Sequence, residues 1–437
     1  MELSSSQIIL IGFLGLILAG TLLMMLPIAA KDRQSTSFLD ALFTVTSASC
    51  VTGLVVTDTV THWSLFGQVI LLVLIQVGGM GIVTASLAVF LFSGKRISLR
   101  QRSTMQESIS AAQVGGIVRL TGFILKASLL LELVGACIMS PIFIRDFGLA
   151  RGIWYSLFHS VSAFCNGGFD LMGSKGAYSS LCFYVSQPVI NLTIMLLIIL
   201  GGLGFSTWDD LRKNRFRLRF CRMQTKTVLT VTFFLLILPA LYFFFFEFDQ
   251  LPWKERIWSS LFQSVTMRTA GFNTIDYSSV SEGGLLIMIF LMLIGGSPGS
   301  TAGGMKTTTL AVLLASAFSV FQRRDDTQLF HRRIPPEIVR NAVAILTLYL
   351  TAFLAGGIVI SRLEQLPLLT CLFETASAIG TVGVTLGITR SLGTVSRLIL
   401  ILMMFCGRVG GLTVVFATIS PRSESVSRYP KENLIVG

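Results

Sequence analysis

The sequence predicts an all-α polytopic membrane protein: four tandem helix–loop–helix repeats with pseudo-fourfold symmetry, eight transmembrane helices and four short re-entrant helices between them. Three observations carry this. The chain is 53% hydrophobic and only 13% charged over 437 residues, about half the charged share of a soluble domain. Its apolar residues come in unbroken runs, at 8–25, 69–75, 192–200, 228–246 and 398–405, and a helix of about 20 such residues crosses a bilayer. A pattern of Leu-Phe followed by a glycine turn occurs four times in register. The first two observations exclude a soluble enzyme. Continuous rather than alternating apolarity excludes an outer-membrane barrel.

The first span lies near residues 7–28, with Glu2 the only charge ahead of it. It lacks the basic n-region of a signal peptide and reads as an uncleaved helix. The chain has 34 basic and 22 acidic residues, a net charge of +12. The basic residues cluster at 95–102, 212–222 and 323–333, each between apolar spans, and again in the tail at 422–431. That arrangement follows the positive-inside rule, so these segments and both termini are expected to be cytoplasmic, and nucleic acid is not a partner. The seven cysteines are scattered and odd in number, with no disulfide framework or metal-ligand spacing.

The repeat itself reads LFTVTSASCVTGL, LFHSVSAFCNGGF, LFQSVTMRTAGF and LFETASAIGTVGV. From Phe43, Phe158, Phe262 and Phe373 to the key glycines Gly53, Gly168, Gly271 and Gly383 the spacing is 10, 10, 9 and 10 residues. Successive key glycines are 115, 103 and 112 residues apart. Each motif is flanked by apolar spans: 7–28, 117–144, 227–246 and 339–360 before it, and 65–92, 188–208, 284–317 and 397–419 after it. Every following span carries glycines near its middle, at 78–81, 201–204, 295–296 and 407–411. Self-similarity at this period defines the unit: helix, pore loop, helix. The units are expected at 1–94, 95–211, 212–322 and 323–420, with a cytoplasmic tail at 421–437.

The segments before the key glycines are about 10–12 residues long, too short to cross the bilayer. Irregular backbone at that depth must pack within protein or line a wet cavity. Glycine permits positive φ, so successive carbonyls turn to one side. Four such turns around one axis would replace the hydration shell of a cation, and the negative ends of the short helices would favour it there. Asp58 and Asp276, five residues past their key glycines, and Asp170 and Asn273, two residues past theirs, are expected to form an acidic outer vestibule or to be ordinary loop residues. Three residues before the key glycines stand Cys50, Cys165, Arg268 and Gly380; two thiols in four do not make a soft-metal ring. Glu374 and Arg268 are expected to pair and brace the turns.

With CVTGL, FCNGGFD, RTAGFN and GTVGV as filters, the chain resembles the Trk/Ktr/HKT superfamily of potassium transporters, most of all the bacterial Ktr ion-translocating subunit. The resemblance spans nearly the whole chain. It implies a selectivity filter at Cys50, Val51, Thr52 and Gly53; Asn166, Gly167 and Gly168; Thr269, Ala270 and Gly271; and Thr381, Val382 and Gly383. Potassium would bind at the four key glycines. Glycine at all four positions, with no serine at the first, implies potassium over sodium.

Two further features fall in the last units. Gly295, Gly296, Ser297, Pro298, Gly299, Ser300, Thr301, Ala302, Gly303 and Gly304 interrupt an apolar span, a density of Gly and Pro that breaks a helix. The run into Lys306 nearly fits a phosphate-binding GxxxxGK[ST] loop, but Met305 spoils the spacing and no strand precedes it. Arg408 lies about eleven residues from either end of its apolar run, where a charge costs about 2.5–3.5 kcal/mol. The resemblance implies an intramembrane gating loop in the first case and, in the second, a pore-facing electrostatic barrier, with a structural partner for the loop carbonyls as the alternative reading of Arg408. Lys126 and Glu132 are read as structural.

The resulting expectation is passive, gated potassium uptake by a multi-pass protein of the cytoplasmic membrane, not an enzyme and without a bound cofactor. The resemblance further implies a homodimer embedded in membrane lipid and docked on a KtrA-like cytosolic nucleotide-binding ring. Sodium, as the conducted or coupled ion or as an activator, is the nearest alternative. A carrier built from two inverted halves fits less well, because these units repeat in parallel.

Overall fold

The structure, a computed structural model, describes residues 4–81 and 117–418, with the isolated positions 84 and 432. The basic stretch at 95–102 and the tail at 422–431 lie outside the described residues. The described chain is helical apart from its connections and one small ladder, Gln328–Leu329 against Arg332–Arg333, with Gln328 opposite Arg333. That ladder falls in the basic stretch at 323–333.

Four helices are long and apolar enough to cross a membrane: Ser5–Met24, Ile117–Phe147, Met223–Glu247 and Pro336–Glu364. They match the spans expected ahead of each motif. Their outward faces carry Leu14, Leu18, Leu129, Leu130, Phe233, Phe234 and Leu354 exposed. A surface so apolar fits hydrocarbon, not water.

A short helix follows each long one: Phe38–Ser49, Leu149–Phe164, Trp253–Thr266 and Leu368–Ile379. These four pore helices form the buried centre. Their repeated phenylalanines, Phe43, Phe158, Phe262 and Phe373, are fully buried and lock each helix into the core. Their starts are set locally. Ser37 caps the first by accepting the Asp40 amide at 3.2 Å, and Pro252 and Pro367 stand at the N-caps of the last two, where extended backbone leads into the helix.

The spans after the motifs are not the continuous helices the hydropathy suggests. Leu65–Met80 ends at Gly81 with φ 84°. Pro188–Gly202 and Phe205–Lys213 meet at 89° around Gly204, φ 88°. Glu282–Leu293 and Thr307–Phe321 are separated by the loop at 295–304, flanked by a bridge between Ile294 and Met305. Thr394–Val409 stops at Gly410, φ 93°, before Gly411–Thr418. The sequence leads one to expect a break only in the third unit; positive-φ glycines break the spans at Gly204 and Gly410 as well and end the helix at Gly81.

Candidate ion pathway

The four pore helices converge at their C-terminal ends, and the backbone there alternates in hand. Val51, Asn166, Thr269 and Thr381 have φ of 56°, 59°, 63° and 52°, and Gly53, Gly168, Gly271 and Gly383 have φ of 93°, 67°, 83° and 98°. The residue between each pair keeps the ordinary negative φ. Such alternation aims successive peptide groups at one side of the strand.

The key glycines also close into a ring. A Cβ placed on Gly53 would come under 3.0 Å from the carbonyl oxygen of Gly167, one on Gly168 from that of Ala270, one on Gly271 from that of Val382, and one on Gly383 from that of Thr52. Each glycine thus abuts the residue before the next key glycine, in chain order, and the last returns to the first. A side chain at any of the four would be strained at positive φ and would have to push a neighbouring carbonyl aside.

Outside the ring lies a cavity of about 460 Å³ reached by all four glycines and by Asp170, Asn273 and Asp276. Asp58 does not line it. Its carboxylate caps the turn at Thr59–His62, accepting from the Val60 and Thr61 amides at 3.1 and 2.9 Å, and accepts the Tyr178 amide at 3.1 Å. Of the four vestibule residues expected, Asp58 is a loop anchor. A cation the sequence reading overlooked, Arg390, stands at the mouth with its guanidinium 4.5 Å over the Tyr178 ring.

The expected pair of Glu374 and Arg268 does not form. Glu374 accepts from the Thr389 hydroxyl at 2.8 Å, the Leu386 amide at 3.1 Å and the Thr385 hydroxyl, all in its own unit. Arg268 is buried and reaches the Thr232 hydroxyl at 3.4 Å. Glu132 accepts from Gln76 at 2.9 Å and joins two helices, in keeping with a structural role.

Inside the ring a second cavity, about 340 Å³, is lined by Gly79, Gly299, Ser300, Lys306, Gly407 and Arg408, among others. The loop at 295–304 forms one wall. Its amides are satisfied by other broken segments: Ser297 donates to the Gly202 carbonyl at 2.9 Å, Thr301 to Gly201 at 3.2 Å and Gly304 to Gly407 at 3.2 Å. The Thr301 hydroxyl binds the Phe164 carbonyl and the Asn166 amide oxygen at 3.1 and 3.0 Å. Arg408 donates to the Thr301 carbonyl and to those of Gly78 and Gly79, the last at 2.8 Å, while Lys306 donates to Ala302 at 2.7 Å. Irregular backbone at membrane depth is tolerated on these terms. The loop follows a helix and packs against backbone on several sides, unlike a phosphate-binding loop.

Residues 5–429 of the chain match the family described as TrkH: Cation transport protein. The chain belongs to that family. It is 39% identical to the potassium/sodium uptake protein NtpJ of Enterococcus hirae, over all of this chain and 98% of that one. It is 38% identical to the Ktr system potassium uptake protein B of Bacillus subtilis, over 99% of this chain and 96% of that one. Its fold is that of the potassium transporter TrkH from Vibrio parahaemolyticus, with a TM-score of 0.75 at 18% identity over 96% of this chain and 85% of that one. The chain is therefore a helical, multi-pass membrane cation transporter and not an enzyme.

Proposed function

We propose that this protein takes up potassium across the cytoplasmic membrane through a filter built on Gly53, Gly168, Gly271 and Gly383. The closed ring of left-handed glycines is the observation that carries the reading. An ion entering from the outer cavity sheds water and is wrapped by carbonyls of residues 50–53, 166–168, 269–271 and 381–383. Such a ring selects through its size and through the number and strength of its dipoles. The names of the relatives, uptake proteins for potassium or for potassium and sodium, support the choice of ion.

Beyond the filter the ion meets Lys306, Arg408 and the loop at 295–304, which act as the gate. Two cationic groups at a narrow cavity oppose a passing cation, and passage requires the loop and Arg408 to move aside. The units are 1–94, 95–211, 212–322 and 323–420, with the tail at 421–437 and both termini cytoplasmic. The protein works as a homodimer on a KtrA-like cytosolic nucleotide-binding ring. The Ktr system names of relatives fit a transporter with separate subunits. The second reading is a sodium-conducting or sodium-coupled member, favoured by the naming of NtpJ for both ions.

Flux of potassium and of sodium into vesicles holding the purified protein decides between them. A wild-type preference for potassium is expected, and Gly53→Ser should erase most of it, because the new side chain must displace the Gly167 carbonyl. Equal preference in wild type and Gly53→Ser would remove Gly53 from the filter.

A further inference from the structure

Behind the ring, every pore helix carries a hydroxyl four residues after its repeated phenylalanine: Ser47, Ser162, Thr266 and Ser377. All four are essentially buried, and all four bond the filter backbone. Ser47 accepts the Gly53 amide and Ser377 the Gly383 amide, each at 3.0 Å. Ser162 donates to the Phe169 carbonyl at 2.8 Å and Thr266 to the Phe272 carbonyl at 2.5 Å. The missing residue of the third unit falls after this hydroxyl. There Ala270 donates to the Thr266 carbonyl, whereas Thr52, Gly167 and Val382 donate one residue further back, to the carbonyls of Ser47, Ser162 and Ser377.

One helical turn earlier, on the same face, a second buried position holds Thr44, His159, Gln263 and Glu374. Three of them grip the chain leaving the filter. The Nδ1 of His159 faces the Tyr155 carbonyl at 2.7 Å and so carries the proton, which leaves Nε2 to accept the Leu171 amide at 3.3 Å. Gln263 donates to the Thr274 hydroxyl at 3.2 Å and accepts from the Tyr277 hydroxyl at 2.6 Å. Glu374 holds Leu386 and Thr389. Thr44 is too short and bonds back to Asp40; in that unit Asp58 does the anchoring instead.

We infer that these two rows are positioning residues that hold the ring at the radius of a large alkali ion and thereby set its preference for potassium over sodium. The inference rests on the proposed filter and adds what keeps it open. Carbonyl oxygens converging on an axis discriminate against a smaller ion only if they are prevented from closing onto it. The amides just before the key glycines bond back to their pore helices, whereas the key amides at Gly53 and Gly383 are satisfied by serine hydroxyls. Loss of Ser47 or Ser377 leaves a buried amide donor unpaired, loss of Ser162 or Thr266 leaves a buried carbonyl acceptor unpaired, and the turn then collapses to pair the freed group.

The test uses the full-length protein in vesicles, with potassium and sodium flux measured in parallel for wild type, Ser377→Ala, Thr266→Val and Thr266→Ser. The first two should lower the potassium-to-sodium ratio about five- to tenfold, the factor set by one lost buried hydrogen bond, and Thr266→Ser should restore it. Retained selectivity in Ser377→Ala and Thr266→Val, beside a selective wild type, would overturn the inference. Failure of both variants to fold would overturn it too, since a brace of a single bond leaves the fold standing. A wild type without preference would instead count against the filter itself.

Discussion

Asp170 follows Gly168 by two residues and lines the outer cavity, with Asp58, Asp276 and Arg390 as its charged neighbours. Burial pushes its carboxyl up to about 6; the Met172 amide, donating at 2.9 Å, opposes the rise and the charge of Asp58 adds to it. A carboxyl with a raised value is charged above it and neutral below. At external pH 7.5 the mouth therefore carries this negative charge, and at pH 5 it does not. A nearby charge raises the local concentration of the opposite ion, so the KM for potassium should rise about three- to fivefold over that interval, the effect of roughly 1 kcal/mol between charges in a wet site. Asp170→Asn should give the higher KM at both pH values. Initial uptake rates in vesicles at the two pH values check this, and a KM in the wild type that ignores pH would remove Asp170 from the ion's path.

At the scale of elements, the glycines of the broken spans decide how pore helix and span fit together. A Cβ on Gly201 would lie 2.7 Å from the Thr301 hydroxyl and 2.8 Å from the Asn166 amide oxygen, and closer still to the Phe164 carbonyl. Gly201→Ala must push the pore helix and the loop apart, a strain of about 1–3 kcal/mol for overpacking. Gly15, in the first span, has nothing within 4 Å of such an atom, so Gly15→Ala should be neutral or slightly stabilising. Thermal unfolding of the two variants in detergent should separate them by several degrees, and equal midpoints would contradict the packing described here. The pore helices and long spans were legible because Leu-Phe, glycine and hydropathy repeat together, and Phe43, Phe158, Phe262 and Phe373 sit where the pattern puts them. The break at Gly410 was not, because apolar residues continue on both sides, and that at Gly204 was not, because charge begins only at Asp209 and hydropathy cannot register a change of direction. The true partners of Glu374 were hidden for a related reason. A carboxylate suggests a cation, but Thr385 and Thr389, only 11 and 15 residues away, need no second charge to be desolvated. The hydroxyl row was visible in the repeat alignment, four residues after each phenylalanine, and needed the backbone to give it a meaning.

Across the whole molecule, the loop at 295–304 is where the units meet beneath the ring. It belongs to the third unit, bonds the second through Gly201, Gly202 and Phe164, and bonds the fourth through Gly407. Arg408 then links it to Gly78 and Gly79 of the first. Among the described residues Arg408 has no carboxylate partner, so its charge is spread over carbonyl dipoles and remains exposed to any cation in the inner cavity. In the proposed gate that arrangement makes two contributions to closure: a backbone obstruction and an unneutralised charge. They are separable. Deleting residues 300–303 removes the obstruction together with the Thr301 carbonyl, while Arg408→Ala removes the charge and leaves the loop held by Gly201, Gly202 and Gly407. Both should raise potassium flux into vesicles in the absence of any cytosolic subunit, the deletion by more. For Arg408→Ala the rise should be about tenfold, the factor for the roughly 1.4 kcal/mol by which one unit charge opposes another across a wet cavity. The deletion should also lower the unfolding temperature, because four units lose their common contact. Basal flux unchanged in both variants would take the loop and Arg408 out of the gate, and leave the ring as the sole barrier in the pathway.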